Sequence, residues 1–418
     1  MDRHSDIIVI GGGVIGLCAA HYLSLEGADV TVLEKADVGN GSSLHNAGYI
    51  CPSHFVPLAS PGVVSQALRW MVNPKSPLYI QPRLDYDLFA WGWKFWRSSN
   101  ERTMRRTMPV LRDLLLDSAR LMEELSHAEG MDFHLRNRGL CMLFATAEGE
   151  ASCRHEAELA HEVGIEARMV DRGEIAEMDP AIEFRAGGGV YFPGDSHLVP
   201  AALMKNLADT LERRGVRIVR HCPVLGLAAS GGTIGAALTS EGEWEGKEFV
   251  LAGGAWSPAI VRTVGVRLIM QPGKGYSVTV PDPSVKPARP YIFMERRVAV
   301  TPFDDGLRFA GTMEITAVDS GINLPRVDAI LDAVPLYFKN IPRPVTATLT
   351  PWAGMRPVSP DGMPYIGRFT QFRNLIAATG HAMLGISLSM ITGKLVTEII
   401  RGRQPSHDLT LLQPNRFD

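Results

Sequence analysis

The chain has 418 residues, 45% of them hydrophobic and 21% charged, with a formal net charge of −3. That length exceeds one compact core, so two domains are expected in an ordinary globular protein. The slightly acidic balance gives no electrostatic reason to bind nucleic acid, and no apolar run reaches the ~18 residues of a membrane span. Five scattered cysteines show no metal-ligand spacing, so free thiols and no metal are expected. A first core strand by Ile7 leaves no room for a signal peptide, which makes a cytoplasmic location the expectation.

An apolar strand at residues 7–10 runs into Gly11-x-Gly13-x-x-Gly16, then a helix, then a second strand ending on Glu34. Gly11 permits the tight turn, Gly13 lets the backbone approach a pyrophosphate, and Gly16 lets helix and strand pack closely. The helix start, at Val14 and Ile15, offers unpaired N–H groups and a partial positive charge. Glu34 can accept from ribose hydroxyls, with Lys35 beside it. The motif marks a dinucleotide without deciding between FAD and NAD. The loop that follows carries Ser42, Ser43, His45, Asn46, Ala47 and Gly48, small and polar groups able to approach a ligand.

Residues 85–126 read as two helices, the second beginning near Met108. The Phe- and Trp-rich run at 88–96 suits either a membrane surface or core between domains, and core is the preferred reading. Residues 198–214 form an amphipathic helix, followed by a strand at 216–219 and a turn to Val224. A strand at 248–251 ends at Gly253. Residues 266–343 alternate in short runs with many prolines, as antiparallel strands do. The last block is a strand, a Gly380-His381 turn, and a helix expected from about Leu384. The expected fold is mixed α/β and α+β: a Rossmann-like dinucleotide domain interleaved with a second domain on an antiparallel sheet. The first takes residues 1–80, 196–265 and 345–418; the second takes 81–195 and 266–344.

These pieces resemble the FAD-dependent D-amino-acid dehydrogenase family, in the wider group of D-amino-acid, glycine and sarcosine oxidases. The resemblance rests on GGGVIG with Glu34, Ser-x-x-Asn-Ala-Gly ending at Gly48, and GKGYSVTVP from Gly273. It continues through AGTMEI from Ala310, WAGMRPVSPDGMPYIGR from Trp352 and ATGHAMLG from Ala378. It implies FAD as cofactor and oxidation of an amino acid, by hydride transfer from Cα to the flavin N5, to an imino acid that hydrolyses or cyclises. It also implies an outside electron acceptor, a quinone or other carrier, and peripheral contact with the inner membrane.

In such a site the substrate carboxylate needs a cationic fork, and Arg356, in a proline-bracketed loop, matches the family's anchor. Tyr276 is the candidate second donor to the carboxylate, with a half-buried strand tyrosine as the alternative. His381 is the candidate to polarise substrate or take the ammonium proton, against a structural role of equal weight. Backbone N–H groups of Leu384, Gly385 and Ile386 are expected at the flavin edge where negative charge gathers. His45 stands where family members often carry a small residue; a ring hydroxyl on the substrate would suit it, which suggests D-proline or D-hydroxyproline. Three rivals stay open: a glycine- or sarcosine-type oxidase using oxygen, an L-specific deaminase, and a non-catalytic flavin subunit of a larger complex.

Overall fold

The computed structural model describes residues 3–70, 76–319 and 321–418. Its first sheet is centred on His4–Ile10, which pairs in parallel with Val30–Leu33 on one side and Gly242–Leu251 on the other. Arg217–Val219 extends the sheet beyond Val30–Leu33, and Leu375–Thr379 runs parallel to the end of Gly242–Leu251. The central strands are buried on both faces, so they read as unbroken apolar runs such as IIVI and VTVL. A hairpin of Val224–Ser230 and Thr233–Thr239 closes one edge.

Helices Val14–Leu25 and Ser389–Ile400 pack against this sheet and each other. Gly393 permits their approach, since a Cβ there would lie 2.4 Å from the Cys18 carbonyl oxygen. The strand ends Ile10, Leu33, Leu251 and Thr379 therefore open into a shared crevice, the usual ligand position in such sheets.

The second sheet runs in the order Trp352–Val358, Gln271–Val280, Gly306–Ile315, Val298–Phe303, Tyr291–Phe293, Leu140–Phe144, Gly188–Phe192, Arg168–Asp171. Its pairings are antiparallel except where Tyr291–Phe293 meets Leu140–Phe144 and where Leu78–Ile80 joins Gly306–Ile315. One face buries Tyr276, Val278 and Phe309 against Val327, Ile330 and Tyr337. Trp352–Val358 and Leu78–Ile80, which the sequence reading put with the dinucleotide-binding pieces, thus hydrogen-bond into the second sheet.

Two helices differ from their expected limits and a third in its burial. The second long helix spans Glu101–Ser126, because the Asn100 side chain caps the Thr103 N–H at 3.0 Å and Pro109 is tolerated on an exposed face. The last helix begins at Ser389, so residues 382–388 form turns. The aromatic helix, Tyr86–Ser98, is not simply core: Leu88, Trp91 and Phe95 are buried, whereas Phe89, Trp93 and Trp96 face outward.

Candidate active site

At the crevice, two of the fingerprint glycines have contacts that forbid a side chain. Gly11, at φ +112°, has the Ala252 carbonyl oxygen 2.5 Å from where its Cβ would be, with Gly253 alongside. A Cβ on Gly16 would lie 1.9 Å from the Gly11 oxygen. Glu34 is buried and its carboxylate accepts from the N–H of Gly12 at 2.7 Å and of Ala36 at 3.0 Å. It therefore stands at the glycine turn, where a ribose would lie. The ammonium of Lys35 sits 3.0 Å over the Trp256 ring. Val224 starts its strand just after Cys222, whose N–H donates to the Glu34 carbonyl at 2.8 Å.

The loop from Ser42 carries the crevice into a second space. The Ser43 hydroxyl accepts from the Val14 N–H at 3.0 Å, at the start of the helix that continues through Ile15 and Gly16. Gly13 has that same hydroxyl 3.4 Å from its Cβ position. Ser42 donates to the Met355 carbonyl at 2.7 Å, tying this loop to the second sheet. The Asn46 side chain folds back on its own loop, donating to Ser43 and accepting from the Gly48 N–H. Its amide therefore shapes the loop. The buried Arg308 donates to the Asn46 carbonyl at 2.8 Å and Thr301 donates to that of Ala47 at 2.8 Å.

Beyond the loop lies a cavity of about 540 Å³, within the range of roughly 300–1,000 Å³ usual for small-molecule sites. His45, Trp352, Gly275, Gly354, Arg356 and the turn from Ala382 to Ser387 are among its walls. Arg356 is the chemical centre. One guanidinium nitrogen, Nη1, donates to the Thr312 carbonyl at 2.7 Å, and among the described residues no carboxylate pairs with this cation. Burial pulls its pKa down to about 10, so it stays charged at neutral pH. Its position depends on Gly275 on the neighbouring strand: a Cβ there would lie 1.9 Å from Nη1. Thr312 holds φ +65°, strained backbone that aims its carbonyl at this cation. A half-buried fork with no acid partner among the described residues, set beside a cavity, suits an acidic ligand.

His45 meets Trp352 with ring centroids 5.0 Å apart, and burial, followed by the Arg308 charge, lowers its pKa. The imidazole facing the cavity is therefore neutral. Trp352 lies over Gly354, where a Cβ would be 2.0 Å from the indole. Across the cavity Leu384 N–H bonds to the His381 carbonyl at 2.8 Å, whereas among the described residues those of Gly385 and Ile386 find no acceptor. Both residues line the cavity.

Two expected side chains are elsewhere. The Tyr276 hydroxyl donates to Glu314 at 2.8 Å, and Glu314 in turn lies 3.5 Å from Arg326. Alternation explains it: Gly275 faces Arg356, so the next residue faces the opposite side of the sheet. Lys274 likewise turns away, to Asp319 at 2.6 Å. The His381 imidazole is buried against the last helix, with Nε2 2.9 Å from the Thr392 hydroxyl. Burial lowers its pKa to about 3, so it is neutral and a poor proton acceptor. It is not among the residues that line the cavity. Gly380, at φ +81°, makes the turn that carries it there. Residue-type reasoning missed Trp352, Thr312 and Gly354; the Gly275 and Gly354 pair, opposite each other across two strands, was the signal available.

The family model described as FAD dependent oxidoreductase matches residues 6–399 of the chain. This chain belongs to that family. Among curated relatives, a D-amino acid dehydrogenase of Paramagnetospirillum magneticum is 33% identical, the match covering 98% of each chain. Another from Granulibacter bethesdensis is 29% identical over 96% of this chain and 97% of its own. The fold matches a glycine oxidase structure from Geobacillus kaustophilus with a TM-score of 0.79 at 23% identity, covering 99% of both. The cofactor of this FAD-dependent oxidoreductase fits the residues present. The close-packed glycine turn at Gly11 and Gly16, the acid at Glu34 and the loop at Ser42 and Ser43 would hold a long dinucleotide reaching toward the cavity.

Proposed function

We propose that the protein is a D-amino-acid dehydrogenase that oxidises its substrate at Cα to the imino acid, which then hydrolyses to a keto acid or cyclises. The observation that carries this reading is Arg356, a half-buried cation with no acid partner among the described residues, one arm anchored on Thr312 and the rest of the fork left for a carboxylate. Gripping the acid end fixes Cα and leaves the amine free, which is a positioning problem more than a chemical one. Bound FAD supplies the two-electron oxidant for the C–H bond. The Gly385 and Ile386 N–H groups, without acceptors among the described residues, would stabilise negative charge on a reduced ring set against their turn. With Tyr276 and His381 committed elsewhere, no ionisable side chain other than His45 is assigned to substrate beside Arg356.

His45 and Trp352 favour a compact cyclic substrate, D-proline or D-hydroxyproline. A flat aromatic wall suits the ring, and a neutral imidazole can donate to or accept from its hydroxyl. The electrons then pass to an outside carrier such as a quinone, in keeping with peripheral contact with a membrane. No helix among the described residues is long and apolar enough to cross one. Anaerobic bleaching of the flavin by a panel of D- and L-amino acids, with both proline and hydroxyproline stereoisomers, tests the reading. Bleaching by D-isomers supports it, and bleaching by L-isomers alone overturns it. Steady peroxide formation with air as sole acceptor would favour the oxidase.

A further inference from the structure

The substrate's ammonium proton still has no taker, and hydride can leave Cα only once the amine is neutral. We propose that His54 takes that proton and passes it through Ser53 to Asp195. The inference rests on the reading above that an amino acid is oxidised here. A short ladder assembles the row. Tyr49 pairs antiparallel with His197, and Ile50 with Ser196. That register sets Asp195, just before one strand, against the turn that leaves the other. In that turn the His54 N–H donates to the Cys51 carbonyl at 3.1 Å.

Asp195 is buried, and its carboxylate accepts from the Ser53 N–H at 3.1 Å and from the Ser53 hydroxyl. The Cys51 thiol hydrogen-bonds it as well. The Ser53 oxygen also lies 3.1 Å from His54 Nδ1. Because the serine hydrogen points at Asp195, Nδ1 carries the hydrogen of that second bond, which leaves the lone pair on Nε2. Among the described residues no other side chain bonds to this ring. Cys51, Ser53 and His54 wall the same cavity as Arg356. Their segment is pinned on both sides of it. The Cys51 N–H donates to the Ser387 hydroxyl at 3.2 Å, beside Ile386. The Leu58 nitrogen lies 2.8 Å from where a Cβ on Gly362 would be, in the loop after the strand of Arg356.

The row moves a proton without making a buried cation. As the ammonium hydrogen goes to Nε2, the Nδ1 hydrogen goes to Ser53 Oγ and the serine hydrogen to the carboxylate. One proton enters, one settles on Asp195, and the imidazole ends neutral in its other tautomer. Burial, then the Arg297 charge, pulls the His54 pKa down to about 4, so an imidazolium that lingered would be unfavourable. Burial pushes Asp195 up to about 7, which lets it hold the arriving proton and release it again near neutrality. Other ionisable groups face the row. Arg297 and Glu156 stand at the cavity wall, and burial raises the pKa of Glu156. Cys51 and Tyr49 lie beside Asp195, and burial keeps both protonated.

The test is the pH profile of kcat/KM for the holoenzyme with its preferred D-amino acid and a soluble dye as acceptor. In the parent it should rise to a plateau above about pH 7, as Asp195 ionises. Asp195→Asn and Ser53→Ala should lose about 10²-fold at neutral pH, chiefly in kcat, since Arg356 still grips the acid. Both should recover most of that loss in alkali, where the amine is neutral unaided. A merely structural role would lower the rate equally at every pH. Ser53→Ala leaves both end groups in place, so it serves even where Asp195→Asn does not fold. Infrared spectra of the substrate-free holoenzyme give a readout apart from turnover: a buried carboxylic acid should titrate near pH 7 and be missing from Asp195→Asn. A parent profile that climbs without a break to the amine's own pKa, variants with an unshifted profile, or no such carboxyl band would each overturn the relay alone. Failure of every amino acid to bleach the parent would overturn the functional reading and the relay together.

Discussion

Replacing Arg356 separates a substrate anchor from a structural cation. Each charged hydrogen bond of such a fork contributes about 1.5–3 kcal/mol. Arg356→Lys keeps the charge but loses the planar pair, so a loss of about 2 kcal/mol is expected. At 1.4 kcal/mol per tenfold, that is a fall of roughly 30-fold in kcat/KM, chiefly as a rise in KM. Arg356→Ala removes both arms, about 4 kcal/mol, or roughly a thousandfold. Stability should move the other way or stay still. Arg356 has one internal hydrogen bond and, among the described residues, no carboxylate partner, so removing it relieves the partial desolvation of a half-buried charge. Steady-state kinetics with a dye acceptor, alongside thermal melting of the holoprotein, decides between the roles. A KM within about twofold of wild type, or a lowered melting point with KM unchanged, would refute the anchor.

Other substitutions test the corrected residues. Tyr276→Phe loses the buried bond to Glu314, so melting should show a loss of about 1 kcal/mol while KM is unchanged. His381→Gln should retain turnover. The His381 pKa is lowered to about 3 in the folded protein, so the unfolded chain takes up a proton first as pH falls below 6.5. Its contribution to stability is therefore present above about 6.5 and lost progressively toward about 3. Melting measured across that window should fall less steeply in His381→Gln than in the parent, and a large loss of kcat with intact fold would show a catalytic role instead. Gly16→Ala puts a Cβ 1.9 Å from the Gly11 oxygen, so the purified variant should be colourless; full yellow occupancy would contradict the cradle.

The dinucleotide crevice was legible because its signals are local. Gly11, Gly13 and Gly16 set a turn and a helix start, and Glu34 follows at the end of the next strand, so short-range spacing places them all. Arg356 was legible by residue type and family motif, although its strand lies in the other sheet. Tyr276 and His381 were not. One depends on which face of a strand a residue takes, next to a register shift between Lys274 and Tyr276. The other depends on a helix packing back over its own turn. Neither is encoded within a few residues. The aromatic helix hid a similar ambiguity: apolar residues on both faces read as core, and only tertiary packing shows which half is covered.

The central claim is that Arg356 holds its substrate by the acid group. Anaerobic flavin reduction by the preferred D-amino acid, set beside the matching amine without a carboxylate, tests this most directly. Rapid bleaching by the acid with little or none by the amine is the predicted result. Equal bleaching by both, or equal sensitivity in Arg356→Lys, would contradict it.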